Sequence, residues 1–273
     1  MASSAPKVAP PERRDPLDVI DKQTDEIVAL IKNSKHFIVF TGAGVSTSAG
    51  IPDFRGPEGA WTLRAQGRAR TGKATSTLQA IPTPTHMALV ELQNQGVLKY
   101  LVSQNCDGLH PRSGILRDRI SELHGNSNLE CCKDCGKEYI RGRKCTACGG
   151  NLLDTIINFG EFLPEEPLKL ARSHAKKADL CIALGSSLSV PPASGIPETC
   201  GKSKKSKLII CNLQETYMEG LSIGAEVKFA LEFMGHYNEH NVIIDYSVPE
   251  EEGAETVYDL SYDPSTGEWV IMR

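Results

Sequence analysis

The chain has 273 residues, 40% of them apolar and 23% charged, with a net charge of −4 at pH 7. These values are typical of a globular protein that can bury a full hydrophobic core. The weak net acidity gives no argument for direct nucleic-acid binding. No apolar run reaches the roughly 18 residues of a membrane-spanning helix. We therefore expect a globular protein that does not cross a membrane.

Residues 1–15 lack the apolar centre of a signal peptide and predict a disordered tail. We therefore expect an intracellular protein in a reducing environment. The nine cysteines should then be thiols or metal ligands rather than disulfides.

Four apolar runs predict buried parallel strands with helices between them. Helical spacing of apolar residues places the first helix over 16–34, directly before the run FIVF. The later strands are predicted over 99–105, 178–187 and 207–213, and later helices over 84–96 and 165–178. This alternation indicates an α/β fold with a doubly wound, Rossmann-like parallel sheet.

Two segments depart from the alternation. Residues 126–151 form a cysteine-rich insert, so the α/β domain comprises 16–125 and 152–235. The C-terminal extension, 236–273, includes ETVYDLSYDPSTGEWVIMR, in which apolar and polar residues alternate around a Pro-Ser-Thr-Gly turn. This pattern predicts a β-hairpin.

Each predicted strand ends in small polar residues, in the motifs TGAG, SQNCDG, LGSS and CNLQ. Because ligands of open parallel sheets bind beyond the carboxyl ends of the strands, these motifs predict one shared cofactor site. Backbone amides and hydroxyls there would suit phosphate or ribose groups. The residues that would supply them are Gly42, Ala43, Gly44, Gly185, Ser186 and Ser187.

Two features argue against a dehydrogenase. Asn212 ends a predicted strand where an acidic residue usually binds the adenosine ribose. The first glycine loop also continues as IPDFRG, residues 51–56, with an aromatic between two charges behind a proline. A loop that only bound phosphate would not need these residues.

The insert contains CCKDCGKEYIRGRKCTACGG, in which two C-x2-C pairs are separated by nine residues. Such pairs can place four thiolates around Zn²⁺. The ligands at this spacing are Cys132, Cys135, Cys145 and Cys148, with Cys131 left over. Four protein ligands leave no position for a reactive water, so the zinc should be structural.

His124 in ELHGN is the candidate general base, because imidazole titrates near neutrality. A histidine alone is more often structural, and His86 at a predicted helix start fits that role better. Cys106 with His110 could form a hydrolase pair, although a single strand-end cysteine gives it little support.

Together these stretches resemble the sirtuins, the NAD-dependent protein lysine deacylases, over about residues 20–235. The resemblance is carried by GAGVSTSAGIPDFRG, PTPTHMAL, SQNCDGLH, ELHGN, the paired C-x2-C motifs, FGE, LGSSL and NLQ. GPEGAWTLRAQG and SQNCDGLHPRSG are most similar to the class IV branch. The α/β domain is thereby identified as an NAD-binding domain.

The resemblance also implies roles for matching residues. His124 is the general base, and Asn105 and Asp107 join it as catalytic residues that contact nicotinamide and ribose. The further implied NAD contacts are Gly42, Ala43, Gly44, Asp53, Phe54, Arg55, Trp61, Gln104, Gly185, Ser186, Ser187, Asn212, Leu213 and Gln214. The implied substrate border is Phe159, Gly160 and Glu161.

In the implied reaction NAD is consumed. The acyl oxygen of an acyl-lysine attacks C1′ of the nicotinamide ribose, nicotinamide leaves, and the products are lysine and O-acyl-ADP-ribose. Acyl-lysine proteins or peptides such as histone tails are the expected partners, and the nucleus is the favoured compartment. A mono-ADP-ribosyltransferase or an NAD-sensing chromatin adaptor with little turnover are the alternatives.

Overall fold

The computed structural model describes residues 11–70, 74–140 and 144–222, together with the backbone of 259–263 and 268–272. Its helices are α1 (Leu17–Asn33), α2 (Ala60–Ala65), α3 (Pro84–Asn94), α4 (Leu109–Ser113), α5 (Glu165–Lys177) and α6 (Gly195–Lys202). Its strands are β1 (Phe37–Thr41), β2 (Leu98–Ser103), β3 (Ile120–Glu122), β4 (Leu129–Cys132), β5 (Glu138–Ile140), β6 (Leu152–Asp154), β7 (Leu180–Leu184), β8 (Lys207–Cys211), β9 (Asp259–Asp263) and β10 (Glu268–Met272). No helix among the described residues is long and apolar enough to cross a bilayer.

The central sheet has five parallel strands in the order β3-β2-β1-β7-β8. Side chains alternate along β1, as the period of a strand requires. Phe37 and Val39 pack in the cluster that includes α1 and α3, whereas Ile38 and Phe40 pack in the cluster that includes α5 and α6. Helices therefore cover both faces, and the predicted doubly wound sheet is confirmed.

The insert is a three-stranded antiparallel sheet in the order β5-β4-β6. β6 lies just beyond the predicted insert boundary at residue 151, yet it pairs with β4 from Cys132↔Leu152 to Glu130↔Asp154. The folded insert thus includes residues through Asp154, because β6 closes its sheet.

Residues 11–15, which the sequence assigns to a disordered tail, lie beside the central sheet. The backbone N–H of Arg13 donates a hydrogen bond to the carbonyl of Leu213 at 2.9 Å. This contact ties the segment before α1 to the loop after β8. Residues 1–10 lie outside the described part of the chain.

The predicted C-terminal hairpin strands are present as β9 and β10, which pair antiparallel with Tyr262 opposite Trp269. The turn residues 264–267 and the segment 223–258 lie outside the described residues. Packing of the apolar hairpin face against the α/β domain stays a prediction.

Candidate cofactor and active site

A cavity of about 960 Å³ lies beyond the carboxyl ends of the central strands. All four predicted strand-end motifs reach it, and its volume is within the range of small-molecule sites. The predicted residues that line it are Gly42, Ala43, Gly44, Asp53, Phe54, Arg55, Trp61, Gln104, Asn105, His124, Phe159, Gly160, Glu161, Gly185, Ser186, Ser187, Asn212, Leu213 and Gln214. Asp107 does not line the cavity.

The floor of the cavity is made where the loops after β1 and β7 touch. Gly42 N–H donates to the Leu184 carbonyl at 2.9 Å, and Gly44 N–H donates to the Gly185 carbonyl at 2.8 Å. Two of the three amides predicted to face a pyrophosphate are therefore bonded within the protein. Only glycine allows the two loops to come this close. A Cβ on Gly42 or Gly44 would lie 2.7 Å from backbone or side-chain atoms of the loop after β7.

His124 is held in one orientation on the cavity wall. Its Nδ1 lies 2.9 Å from the backbone carbonyl of Gln104. Burial lowers the pKa of His124, and the hydrogen bond to Gln104 opposes this effect. The imidazole therefore loses its proton at a lower pH than an exposed histidine does.

Asp107 lies behind the cavity wall, where its carboxylate accepts hydrogen bonds from two neighbouring residues. One carboxylate oxygen accepts from Ser46 Oγ at 2.7 Å, and the other accepts from the N–H of Leu109 at 2.9 Å. Asn105 Nδ2 donates to the carbonyl of Gly42 at 3.1 Å and approaches Ser46 Oγ at 3.3 Å. Burial raises the pKa of Asp107. Its implied contact with nicotinamide stays a prediction.

Two hydrogen bonds join the remaining cavity loops. Ser186 Oγ donates to Gln104 Oε1 at 2.7 Å, which connects the loops after β7 and β2. Asn212 Nδ2 donates to the carbonyl of Gln214 at 2.8 Å. This bond shapes the turn after β8, where the sequence lacks the acid of a dehydrogenase.

Three aromatic rings border one side of the cavity. Phe54 stacks on Trp61 with ring centroids 6.4 Å apart, and Phe159 meets Trp61 edge-on at 5.6 Å. Trp61 lies on α2, whose start is fixed by Asp53 and Phe54, because their carbonyls accept from the N–H groups of Ala60 and Trp61. The sequence predicted the aromatic residues but not the short helix that brings them together.

The four predicted zinc ligands converge in the insert. Their sulfur atoms all lie within 4.8 Å of one another. Cys131 is turned away, with its thiol donating to the carbonyl of Gly136 at 3.3 Å. Four clustered thiolates fit tetrahedral Zn²⁺ and leave no open position. The four predicted cysteines are thus brought together as a possible zinc site, and their role as the ligands stays a prediction.

A cysteine hydrolase has no support in this geometry. Burial raises the pKa of Cys106 to about 12, so the thiolate nucleophile is not populated near neutrality. His110 lies at hydrogen-bond distance from Thr41 Oγ1, 2.8 Å, and its ring packs against His86 with centroids 4.5 Å apart. The two predicted hydrolase residues therefore have separate structural contacts.

Several residues that line the cavity were not singled out from the sequence. They include Glu12, Arg14, Thr47, Arg70, Thr85 and Leu163. Glu12 and Arg14 belong to the predicted tail, which no local pattern places near a strand end. Only their position in the folded chain reveals them.

Comparison with known proteins gives consistent relatives. The model of the Sir2 family matches residues 70–192. The chain is 46% identical over 216 residues to NAD-dependent protein deacetylase SRT1 of Arabidopsis thaliana, covering 74% of this chain and 46% of that protein. It is 40% identical over 232 residues to NAD-dependent protein deacetylase Sirt6 of Drosophila melanogaster, covering 76% and 71%. The chain thus spans about half the length of the Arabidopsis relative.

Solved structures show the same architecture. A structure described as Sir2-p53 peptide-NAD+ matches with a TM-score of 0.65 and 32% identity, covering 80% of this chain and 98% of that one. Another, described as Sir2 bound to acetylated peptide, matches with a TM-score of 0.64 and 30% identity over 80% and 98% of the two chains.

Proposed function

This chain belongs to the Sir2 family, and from that premise we propose that it is an NAD-dependent protein-lysine deacylase that releases nicotinamide and O-acyl-ADP-ribose. The proposal rests on the position of His124, an imidazole fixed through Nδ1 on the wall of the cavity that the strand-end loops enclose. Bound NAD supplies an electrophilic ribose carbon, C1′, that can lose nicotinamide to an attacking acyl oxygen.

The residues that line the cavity have separate roles in this proposal. Nε2 of His124 accepts a proton from a ribose hydroxyl, because Nδ1 already donates to Gln104. The interlocked glycine loops form the floor of the cavity, on which the phosphates of NAD would lie. Phe54 and Trp61 exclude water on the aromatic side.

The acyl-lysine enters beside the segment 156–161, which lines the cavity. Phe159 is 58% exposed there and can cover an acyl chain or a peptide backbone. Glu161 fixes the turn, since its carboxylate accepts from the N–H of Asn158 at 2.7 Å. We propose a peptide bound as an added strand along this border.

Protein acyl-lysines are the substrate class in this proposal, with histone tails as the specific substrate and the nucleus as the compartment. The named peptide complexes of related Sir2 structures support the substrate class. The class IV resemblance supports the nuclear assignment.

The test is mass spectrometry of an acetylated histone-tail peptide incubated with NAD and the protein. Loss of the acetyl group with formation of O-acetyl-ADP-ribose is expected. An ADP-ribose adduct on the peptide or protein would identify a transferase instead. An unchanged peptide, together with intact NAD binding in calorimetry, would identify a sensor.

A further inference from the structure

The loop after β8 lacks a residue that dinucleotide sites usually possess. An acidic side chain commonly accepts the hydroxyls of the adenosine ribose. Here the residues that follow β8 and line the cavity are Asn212, Leu213 and Gln214. The next residue, Glu215, is engaged in an ion pair with Arg13. The acid must therefore come from another part of the chain, or the hydroxyls have no carboxylate partner.

The segment before α1 contacts the loop after β8. Arg13 is fixed at two points, through its N–H to the Leu213 carbonyl at 2.9 Å and through its guanidinium to Glu215. Prolines at positions 11 and 16 restrict the backbone on either side, which favours an extended segment. An ion pair between exposed groups is weak alone, but the backbone bond fixes the same residue.

Neighbouring side chains of this segment point to opposite sides. Glu12 and Arg14 line the cavity, whereas Arg13 faces Glu215 outside it. This is the alternation of an extended chain. Glu12 is thereby brought to the same end of the cavity as Asn212, where the missing acid would stand.

We propose that Glu12 supplies the carboxylate that accepts the hydroxyls of the adenosine ribose, an inference that rests on the proposed NAD-dependent function. Its carboxylate is an acceptor-only group with capacity for two donors, which suits a vicinal diol. The N-terminal segment is then part of the cofactor site and is positioned by Arg13.

The experiment measures binding without turnover. Calorimetry of the full chain uses ADP-ribose, which has no nicotinamide to lose, and its analogue lacking the 2′-hydroxyl of the adenosine ribose. Glu12→Gln should weaken ADP-ribose binding about ten-fold, the effect of one hydrogen bond to a charged group. Glu12→Gln should weaken binding of the deoxy analogue by a smaller factor than it weakens binding of ADP-ribose, because one of the two hydroxyl contacts is already gone. Glu26→Gln, an exposed residue on α1, is the charge-matched control and should bind as wild type.

Two outcomes would overturn the inference while leaving the proposed function intact. Glu12→Gln could bind ADP-ribose as wild type does, or it could lose the same factor of affinity for the deoxy analogue as for ADP-ribose. Failure of the wild-type protein to bind ADP-ribose would overturn the proposed function as well, so the two failures are distinguishable.

Discussion

The backbone carbonyl of Gln104 lies 2.9 Å from Nδ1 of His124. A carbonyl can only accept, so Nδ1 carries the ring proton and Nε2 is the basic nitrogen of the neutral imidazole. The side chain of Gln104 accepts from Ser186. One residue therefore sets the tautomer of the proposed base and contacts the loop after β7.

Loss of this base should separate binding from turnover. His124→Ala should lower deacylation about 100- to 10,000-fold, the usual contribution of a general base, while ADP-ribose binding measured by calorimetry persists. His36→Gln is the control, since His36 precedes β1 at the amino-terminal end of the strand, away from the cavity, and contacts His174. Near-normal turnover in His124→Ala would contradict the assignment.

The acid limb of the pH profile should lie below the ordinary histidine range. Burial lowers the pKa of His124 from 6.5, so the neutral base survives at pH values where a free imidazole is already protonated. The midpoint of the acid limb of kcat/KM should therefore lie below 6.5, the value of an ordinary histidine. An acid limb centred above pH 7 would show that another group controls the rate.

The cysteine cluster should hold about one zinc per chain without entering the chemistry. Cys132→Ser or Cys145→Ser should release the metal and unfold the insert, as measured by elemental analysis and circular dichroism. Cys131→Ser is the matched control, because its thiol contacts the Gly136 carbonyl rather than the other thiols. Zinc loss in Cys131→Ser with retention in Cys132→Ser would reverse the ligand assignment.

The contact between the two glycine loops should tolerate no side chain. Gly185→Ala places a Cβ 2.7 Å from the Val45 nitrogen and also requires a left-handed backbone, φ +59°. The free energy of unfolding should fall by about 1–3 kcal/mol because of this strain, and ADP-ribose should bind more weakly. Gly195→Ala, which meets no atom within 4 Å, should leave both quantities nearly unchanged in denaturant titrations and calorimetry.

The C-terminal hairpin should act as a brace rather than as part of the site. A two-stranded hairpin is barely stable alone, so its apolar face should pack on the NAD-binding domain. Truncation after residue 236 should lower the melting temperature and leave the NAD dependence of the remaining activity unchanged. A stable truncated protein with altered peptide or acyl preference would place the hairpin at the substrate border instead.

Local patterns in the sequence were sufficient for the sheet and the zinc cluster. A continuous apolar run is typical of a strand that is covered on both faces. Phe37–Thr41 is such a run, and all five of its residues are buried. The C-x2-C spacing also selects four ligands from five cysteines, since Cys131 is one residue too early to form such a pair with Cys135.

Contacts between distant segments were not accessible in this way. No local pattern shows that Asp107 lies behind the cavity wall, bonded to Ser46. The anchoring of Arg13 by Leu213 is equally hidden, because a proline-rich segment without periodicity is typical of a tail. These details depend on tertiary packing, which places residues according to the whole fold.

The pairing of Phe37 with Leu180 across the middle of the sheet also has a consequence for biosynthesis. β1 and β2 leave the ribosome well before β7, because the entire zinc insert is synthesised after β2 and before β7. Until β7 arrives, one edge of β1 is unpaired and apolar, the situation in which non-local sheets fold slowly and aggregate. Folding of the insert around its metal would shorten the effective loop between β2 and β7 and favour the pairing of β7 with β1 once β7 emerges, so zinc depletion during synthesis should lower the soluble yield.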